Sequence, residues 1–119
     1  MAEIDKLRLM LKEAEIPFES FVEDMPEELR KMRMWGEHDY GMAAQYDRNQ
    51  IIYGRDPENI HSWRFDAIWQ YGSYGAKKGL IETYGPLGCD KQHNPRVMTA
   101  KEAFKIIKKD WEEHGRADK

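Results

Sequence analysis

The stretch WRFDAIWQY, residues 63–71, decides the fold class because it alternates apolar and polar side chains over nine residues. Side chains in a strand point alternately to its two faces. One face would carry the apolar residues, namely Trp63, Phe65, Ala67, Trp69 and Tyr71. The other would carry Arg64, Asp66 and Gln70, with Ile68 as its only apolar member. The pattern predicts a strand with one face against a core.

Shorter runs on both sides predict the rest of an antiparallel sheet. The clearest of them cover residues 41–46, 50–54 and 80–84. Residues 47–49 can turn, so the first two runs are expected to form a hairpin. Residues 17–22 predict either a brief strand or an extended connection. Residues 85–95 are rich in Gly, Pro, Asn and Asp and predict an irregular loop.

Helical periodicity marks both ends of the chain. Residues 3–15 carry Ile4, Leu7, Met10, Leu11 and Ala14 at helical spacing. Thr99 and Glu102 have the spacing of a capping box and open a helix over residues 99–114. A further helix is predicted over residues 25–34.

The order of these elements predicts a single α+β domain over residues 1–119. Its antiparallel sheet would have three to five strands, with the N- and C-terminal helices packed on one face. The expected core consists of Leu7, Leu11, Phe65, Ala67, Trp69, Phe104, Ile107 and Trp111. A chain of this length buries enough surface to fold without disulfides.

Charge and composition narrow the class of partner. The net charge of −3 and the pI near 5.8 give no overall basic field for nucleic acid or anionic lipid. Residues 1–11 alternate charged and apolar side chains, and nothing elsewhere approaches a spanning length. We therefore expect a cytoplasmic protein without membrane contact. The single Cys89 excludes an intrachain disulfide.

The glycine-rich turn at residues 72–79 is the candidate binding site. It would expose two aromatic rings and two cations to a partner. These residues are Tyr71, Tyr74, Lys77 and Lys78. Residues 72–75 also match the GXXG loop with which some modules contact nucleic-acid phosphates. The flanking strands favour a hairpin turn, which explains the glycines without a ligand.

Two other groups of residues have weaker functional interpretations. Cys89 and His93 are four residues apart, a spacing that could hold a metal or pair a thiol with a base, but a site would need further groups from other loops. Four lysines lie on the last predicted helix. We interpret them first as a solvent-exposed face and only second as a stripe that binds anions. They are Lys101, Lys105, Lys108 and Lys109.

Several motifs occur in a recognisable order. They are NQIIY (49–53), DAI (66–68) leading into GSYG (72–75), GLIE (79–82) with Gly85, and MTAKEAF (98–104). With the N-terminal helix and IPFE (16–19), they make the chain resemble small proteins encoded by phages and prophages of gut Firmicutes. These motifs are turn glycines and a capped helix, so the resemblance implies a mobile-element origin and no particular chemistry.

The expected function is therefore binding rather than catalysis. We expect an accessory protein of the phage or prophage type that binds an unknown protein partner or itself, without a cofactor or metal. The alternative is a small nucleic-acid-binding module that uses the turn at residues 72–79 and the lysines of the last helix.

Overall fold

The computed structural model describes residues 2–23, 48–70, 75 and 78–115. The helices are α1 (Glu3–Glu13) and α2 (Ala100–Asp110), and α2 continues into a π-helical turn (Trp111–Gly115). The strands are β1 (Glu19–Glu23), β2 (Arg48–Tyr53), β3 (Phe65–Gln70), β4 (Ile81–Tyr84) and β5 (Arg96–Met98). These strands form one antiparallel sheet in the order β1-β2-β3-β4-β5. The predicted α+β fold is confirmed.

The core lies between the sheet and the two helices. Strand register places Ile51 opposite Ala67 and Tyr53 opposite Phe65, so these four side chains share a face of the sheet. The core cluster also contains residues of both helices, namely Ile4, Leu7 and Leu11 of α1 and Ala100, Ala103 and Ile107 of α2. Both helices therefore cover the same face.

Most of the predicted core is confirmed. The residues that are fully buried are Leu7, Leu11, Phe65, Ala67 and Ile107. Trp69, Phe104 and Trp111 are only half-buried and pack against the margin of the core. Part of each of these side chains therefore remains accessible to solvent.

The hairpin prediction is wrong at its turn. Arg48 and Asn49 belong to β2, whose neighbours in the sheet are β1 and β3. Residues 17–22 contribute β1, so the strand alternative is the correct one there. The strand predicted at 41–46 and the helix predicted at 25–34 lie outside the described residues.

Strand β5 was not predicted. It has only three residues, and Arg96 is exposed, so no alternating apolar pattern marks it. Its position depends on pairing with β4, where Met98 lies opposite Ile81.

Side-chain hydrogen bonds connect the layers. The Arg8 side chain of α1 donates to Ser20 Oγ at 2.7 Å and also to Asn49 of β2. Glu3 Oε1 accepts from the Ala100 N–H at 2.9 Å, which joins the first turns of the two helices. The predicted capping box of Thr99 and Glu102 is present in both directions.

Candidate binding cleft

Only part of the turn predicted as the binding site is described. Lys78 is exposed, whereas Tyr71, Tyr74 and Lys77 lie outside the described residues. The Gly75 N–H donates to Glu82 Oε1 at 2.8 Å. A phosphate at this amide would have to displace a carboxylate of the same charge sign. This contact argues against a phosphate-binding role for Gly75.

The Cys89 and His93 loop is shaped by its own hydrogen bonds. Asp90 Oδ1 accepts from the N–H groups of Gln92 and Asn94, both at 2.9 Å. Cys89 is half-buried and forms a β-bridge with Pro95. In the part of the chain that the structure describes, no three His, Cys, Asp or Glu side chains are placed to hold a metal ion.

A cleft of ≈ 610 Å³ opens at the end of the sheet near the C-terminus of α2. Its lining comes from the start of β1, the end of β2, the loop at residues 54–62 and the π-helical turn. Residues that define its character are Phe18, Glu19, Tyr53, Arg55, Arg64, Asp110, Trp111 and His114. Aromatic rings, two guanidinium groups, an imidazole and the carboxylates of Glu19, Asp56 and Asp110 therefore share one concave surface.

The loop at residues 54–62, here called the rim loop, is held by its own hydrogen bonds. The Asp56 N–H donates to the Ser62 carbonyl at 2.9 Å, and the Ser62 N–H donates to the Asn59 carbonyl at 2.8 Å. The Arg55 side chain donates to Glu19 of β1 and to the Ile60 carbonyl. These contacts tie the rim loop to the sheet edge and give it a defined shape.

The tip of the rim loop carries an exposed apolar side chain. Ile60 is 60% exposed, although the carbonyl of the same residue is anchored by Arg55. The other exposed large apolar side chains in the described part of the chain are Leu9, Phe21 and Val22, which lie on α1 and β1. Ile60 is the one carried by the loop that borders the cleft.

Three side chains form a hydrogen-bonded group in the cleft, here called the Asp110 cluster. Tyr53 Oη donates to Asp110 Oδ2 at 2.7 Å, and Arg64 Nε donates to the same oxygen at 2.9 Å. Arg64 Nη2 donates to Asp110 Oδ1. One edge of the Arg64 guanidinium therefore forms a bidentate hydrogen bond with the Asp110 carboxylate.

The Asp110 cluster shifts the protonation of its members. Burial by itself would raise the pKa of Asp110, but the hydrogen bonds from Arg64 and Tyr53 hold the pKa below its ordinary value. Burial, followed by the bond to Asp110, raises the pKa of the Tyr53 hydroxyl well above 10. The carboxylate stays charged and the phenol stays neutral over the physiological range.

Gly54 allows Arg64 to reach Asp110. Its φ of +77° lies in the left-handed region, and a Cβ there would come within 2.9 Å of Arg64 Cβ and Cγ. Glycine is therefore required at this position for two reasons. It adopts the positive φ of the turn after β2, and it leaves room for the aliphatic part of the Arg64 side chain.

Sequence reasoning missed the Asp110 cluster because its members come from β2, the residue before β3 and the end of α2. One signal was present. Asp110 follows Ala103 and Ile107 at helical spacing on the apolar stripe of α2, and all three are buried. A carboxylate on an apolar stripe requires a partner.

Comparison of the chain with protein-family models, curated proteins and solved structures finds no match. Within the described residues, no helix combines the length and apolar character needed to cross a bilayer.

Proposed function

We propose that this chain is an accessory protein of the phage or prophage type that acts in the cytoplasm by binding another protein. The partner would contact the rim loop and the adjoining cleft. The observation that carries the proposal is Ile60, which is 60% exposed at the tip of an ordered loop. The origin rests on the sequence resemblance, and the surface rests on the geometry.

The rim loop has the properties of a binding hot spot. Contacts from Arg55 and Asp56 hold its backbone before any partner arrives, so little conformational entropy is lost on binding. An apolar side chain beside a concave surface that carries aromatic rings and arginines offers residue types that are enriched at protein interfaces. Ile60 would insert into an apolar depression of the partner.

A photo-crosslinking experiment tests the proposal. A benzophenone amino acid replaces the exposed His61, and cross-linked protein from a lysate of the encoding cell is identified by mass spectrometry. The partner is then produced in pure form, and its affinity is measured for Ile60→Ser and Val22→Ser. Val22 is the matched control because it is 59% exposed and lies on β1, outside the cleft lining.

We expect Ile60→Ser to weaken binding at least about tenfold, as loss of a hot-spot residue does, and Val22→Ser to bind like the wild type. The joint replacement of Tyr74, Lys77 and Lys78 by Ala tests the turn predicted from the sequence. If that variant loses binding while Ile60→Ser keeps it, the interface is at the turn and the rim-loop assignment is wrong. If the only cross-linked partner is a second copy, sedimentation will show self-association.

A further inference from the structure

We infer that the cleft binds a carboxylate group of the partner protein on the edge of the Arg64 guanidinium that faces away from Asp110. This inference rests on the proposed protein-binding function and names the chemistry that the cleft recognises. It assigns Arg64 as a binding residue and Asp110 as the group that positions it.

Asp110 occupies only one edge of the Arg64 guanidinium. The Nε and Nη2 atoms of Arg64 donate to Asp110 along that edge of the planar fork. Among the described residues, the structure shows no acceptor for Nη1. The Nη1 side keeps N–H donors in the geometry that suits a second carboxylate.

The Arg64 and Asp110 side chains differ in their exposure to solvent. The Arg64 side chain is 46% exposed, whereas the Asp110 side chain is only 5% exposed. An approaching group therefore meets the guanidinium, and the carboxylate that neutralises it is shielded behind. Because Asp110 holds the guanidinium in place, the arginine loses little side-chain entropy on binding.

The other arginine of the cleft, Arg55, has different contacts from Arg64. Arg55 donates through Nε to Glu19 and through Nη1 to the Ile60 carbonyl, and it stacks 5.7 Å from the Trp63 ring centre. Through these contacts, Arg55 stabilises the conformation of the rim loop. Arg64 is the more exposed of the two arginines, at 46% against 27% for the Arg55 side chain.

The lining of the cleft favours a carboxylate over a phosphate as the bound anion. Glu19 and Asp56 also line the cleft, so a dianionic phosphate would be repelled more strongly than a singly charged carboxylate. Phe18 and Trp111 add an apolar wall. The ligand group is thus a carboxylate that stands beside an aromatic or aliphatic group, such as occurs in an acidic, hydrophobic segment of a protein.

Small probes test this chemistry independently of the natural partner. N-acetylphenylalanine, N-acetylphenylalaninamide and phenyl phosphate are titrated separately into the full-length protein, and the amide signals of Gly54, Ser62 and His114 are followed by NMR. We expect the acid to shift these signals and to bind about tenfold more tightly than the amide, since a charge-assisted bidentate bond is lost in the amide. Phenyl phosphate should bind more weakly than the acid. A peptide with an internal Glu and an amidated C-terminus distinguishes a side-chain carboxylate from a chain terminus.

Three variants assign the effect to Arg64. Arg64→Lys keeps the charge but removes the fork, and should weaken binding of the acid about tenfold. The double variant Arg64→Gln/Asp110→Asn removes both charges together, so that it folds without a buried unpaired carboxylate, and should abolish the preference for acid over amide. Arg96→Gln is the control, because Arg96 is exposed on β5 and outside the cleft.

Equal binding of acid and amide, tighter binding of phenyl phosphate, or unchanged binding of the acid by both Arg64 variants would overturn the inference. These outcomes leave the proposed function standing if Ile60→Ser still loses the cross-linked partner. Conversely, the acid could bind more tightly than the amide in an Arg64-dependent way while the partner binds Ile60→Ser as well as the wild type. That result would support the carboxylate site and contradict the rim-loop interface.

Discussion

Asp110 shows how a single residue connects the core with the cleft. Its position on the buried stripe of α2 brings a charge into the margin of the core, where Tyr53 and Arg64 satisfy it. Removing one partner of such a group costs more than the group contributes, because the remaining polar atoms stay partly desolvated. The residue therefore determines the orientation of Arg64 as well as the local stability.

Gly54 provides a test at the scale of one residue. Gly54→Ala should destabilise the fold by more than about 1 kcal/mol, because alanine is strained at positive φ and its Cβ would crowd Arg64. Gly79→Ala is the matched control, with a φ of +71° and no atom within 4 Å of the added Cβ. Urea denaturation should show a larger loss for Gly54→Ala. Equal losses would mean that contact with Arg64 adds nothing.

Helix α1 packs against the sheet through an apolar stripe, in addition to the hydrogen bonds of Arg8 to Ser20 and Asn49. Leu7 is completely buried, whereas Leu9 on the same helix is 45% exposed. Leu7→Ala should lower the free energy of unfolding by about 2–5 kcal/mol, the usual range for a buried leucine. Leu9→Ala should change it by no more than about 0.5 kcal/mol. Similar losses in denaturant melts would show that α1 is docked differently.

Helix α2 depends on its N-terminal cap. The Thr99 Oγ1 accepts from the Glu102 N–H at 3.2 Å, and Glu102 Oε1 accepts from the Thr99 N–H at the same distance. Thr99→Ala should therefore cost about 0.5–2 kcal/mol. Lys101→Ala, at an exposed position in the first turn of the helix, serves as the control in the same thermal melts. A Thr99→Ala variant as stable as the control would mean that the cap is dispensable.

For the whole molecule, the Asp110 cluster predicts how stability depends on pH. The pKa of Asp110 is lowered by folding, so its contribution is present above the unfolded pKa of about 4 and is lost as the pH falls through the folded value. The pKa values of Tyr53 and Tyr84 are raised, that of Tyr84 to about 12 by burial and by its bond to Glu82. Their contribution is present below about pH 10 and is lost as the pH rises toward the folded values.

Urea melts across pH should therefore show a plateau that falls at both ends. Asp110→Asn should flatten part of the acid side, while Glu3, whose pKa is also lowered by its bonds to Lys6 and to the Ala100 N–H, maintains the rest. Tyr53→Phe should flatten part of the alkaline side while Tyr84 maintains the rest. Glu113→Gln, at an exposed residue of the π-helical turn, should leave both sides unchanged. An alkaline side identical in Tyr53→Phe and the wild type would contradict the assigned shift.

The sequence by itself determined the fold class and most of the core. The alternation in residues 63–71, the helical stripe with Leu7 and Leu11, and the capping box at Thr99 are local patterns, and each reports which face of an element is buried. Strand β3, helix α1 and helix α2 were therefore predictable within a few residues.

The tertiary structure alone decided the pairing of β2 with β1 and the existence of β5. It also decided the Asp110 cluster, in which Asp110 binds the side chains of Arg64, 46 positions away, and Tyr53, 57 positions away. The physical reason is that local patterns specify which face of an element is apolar, whereas hydrogen-bond partners depend on which distant elements meet. Only the packed chain brings the arginine and the carboxylate to one cleft, beside the loop that carries the exposed isoleucine.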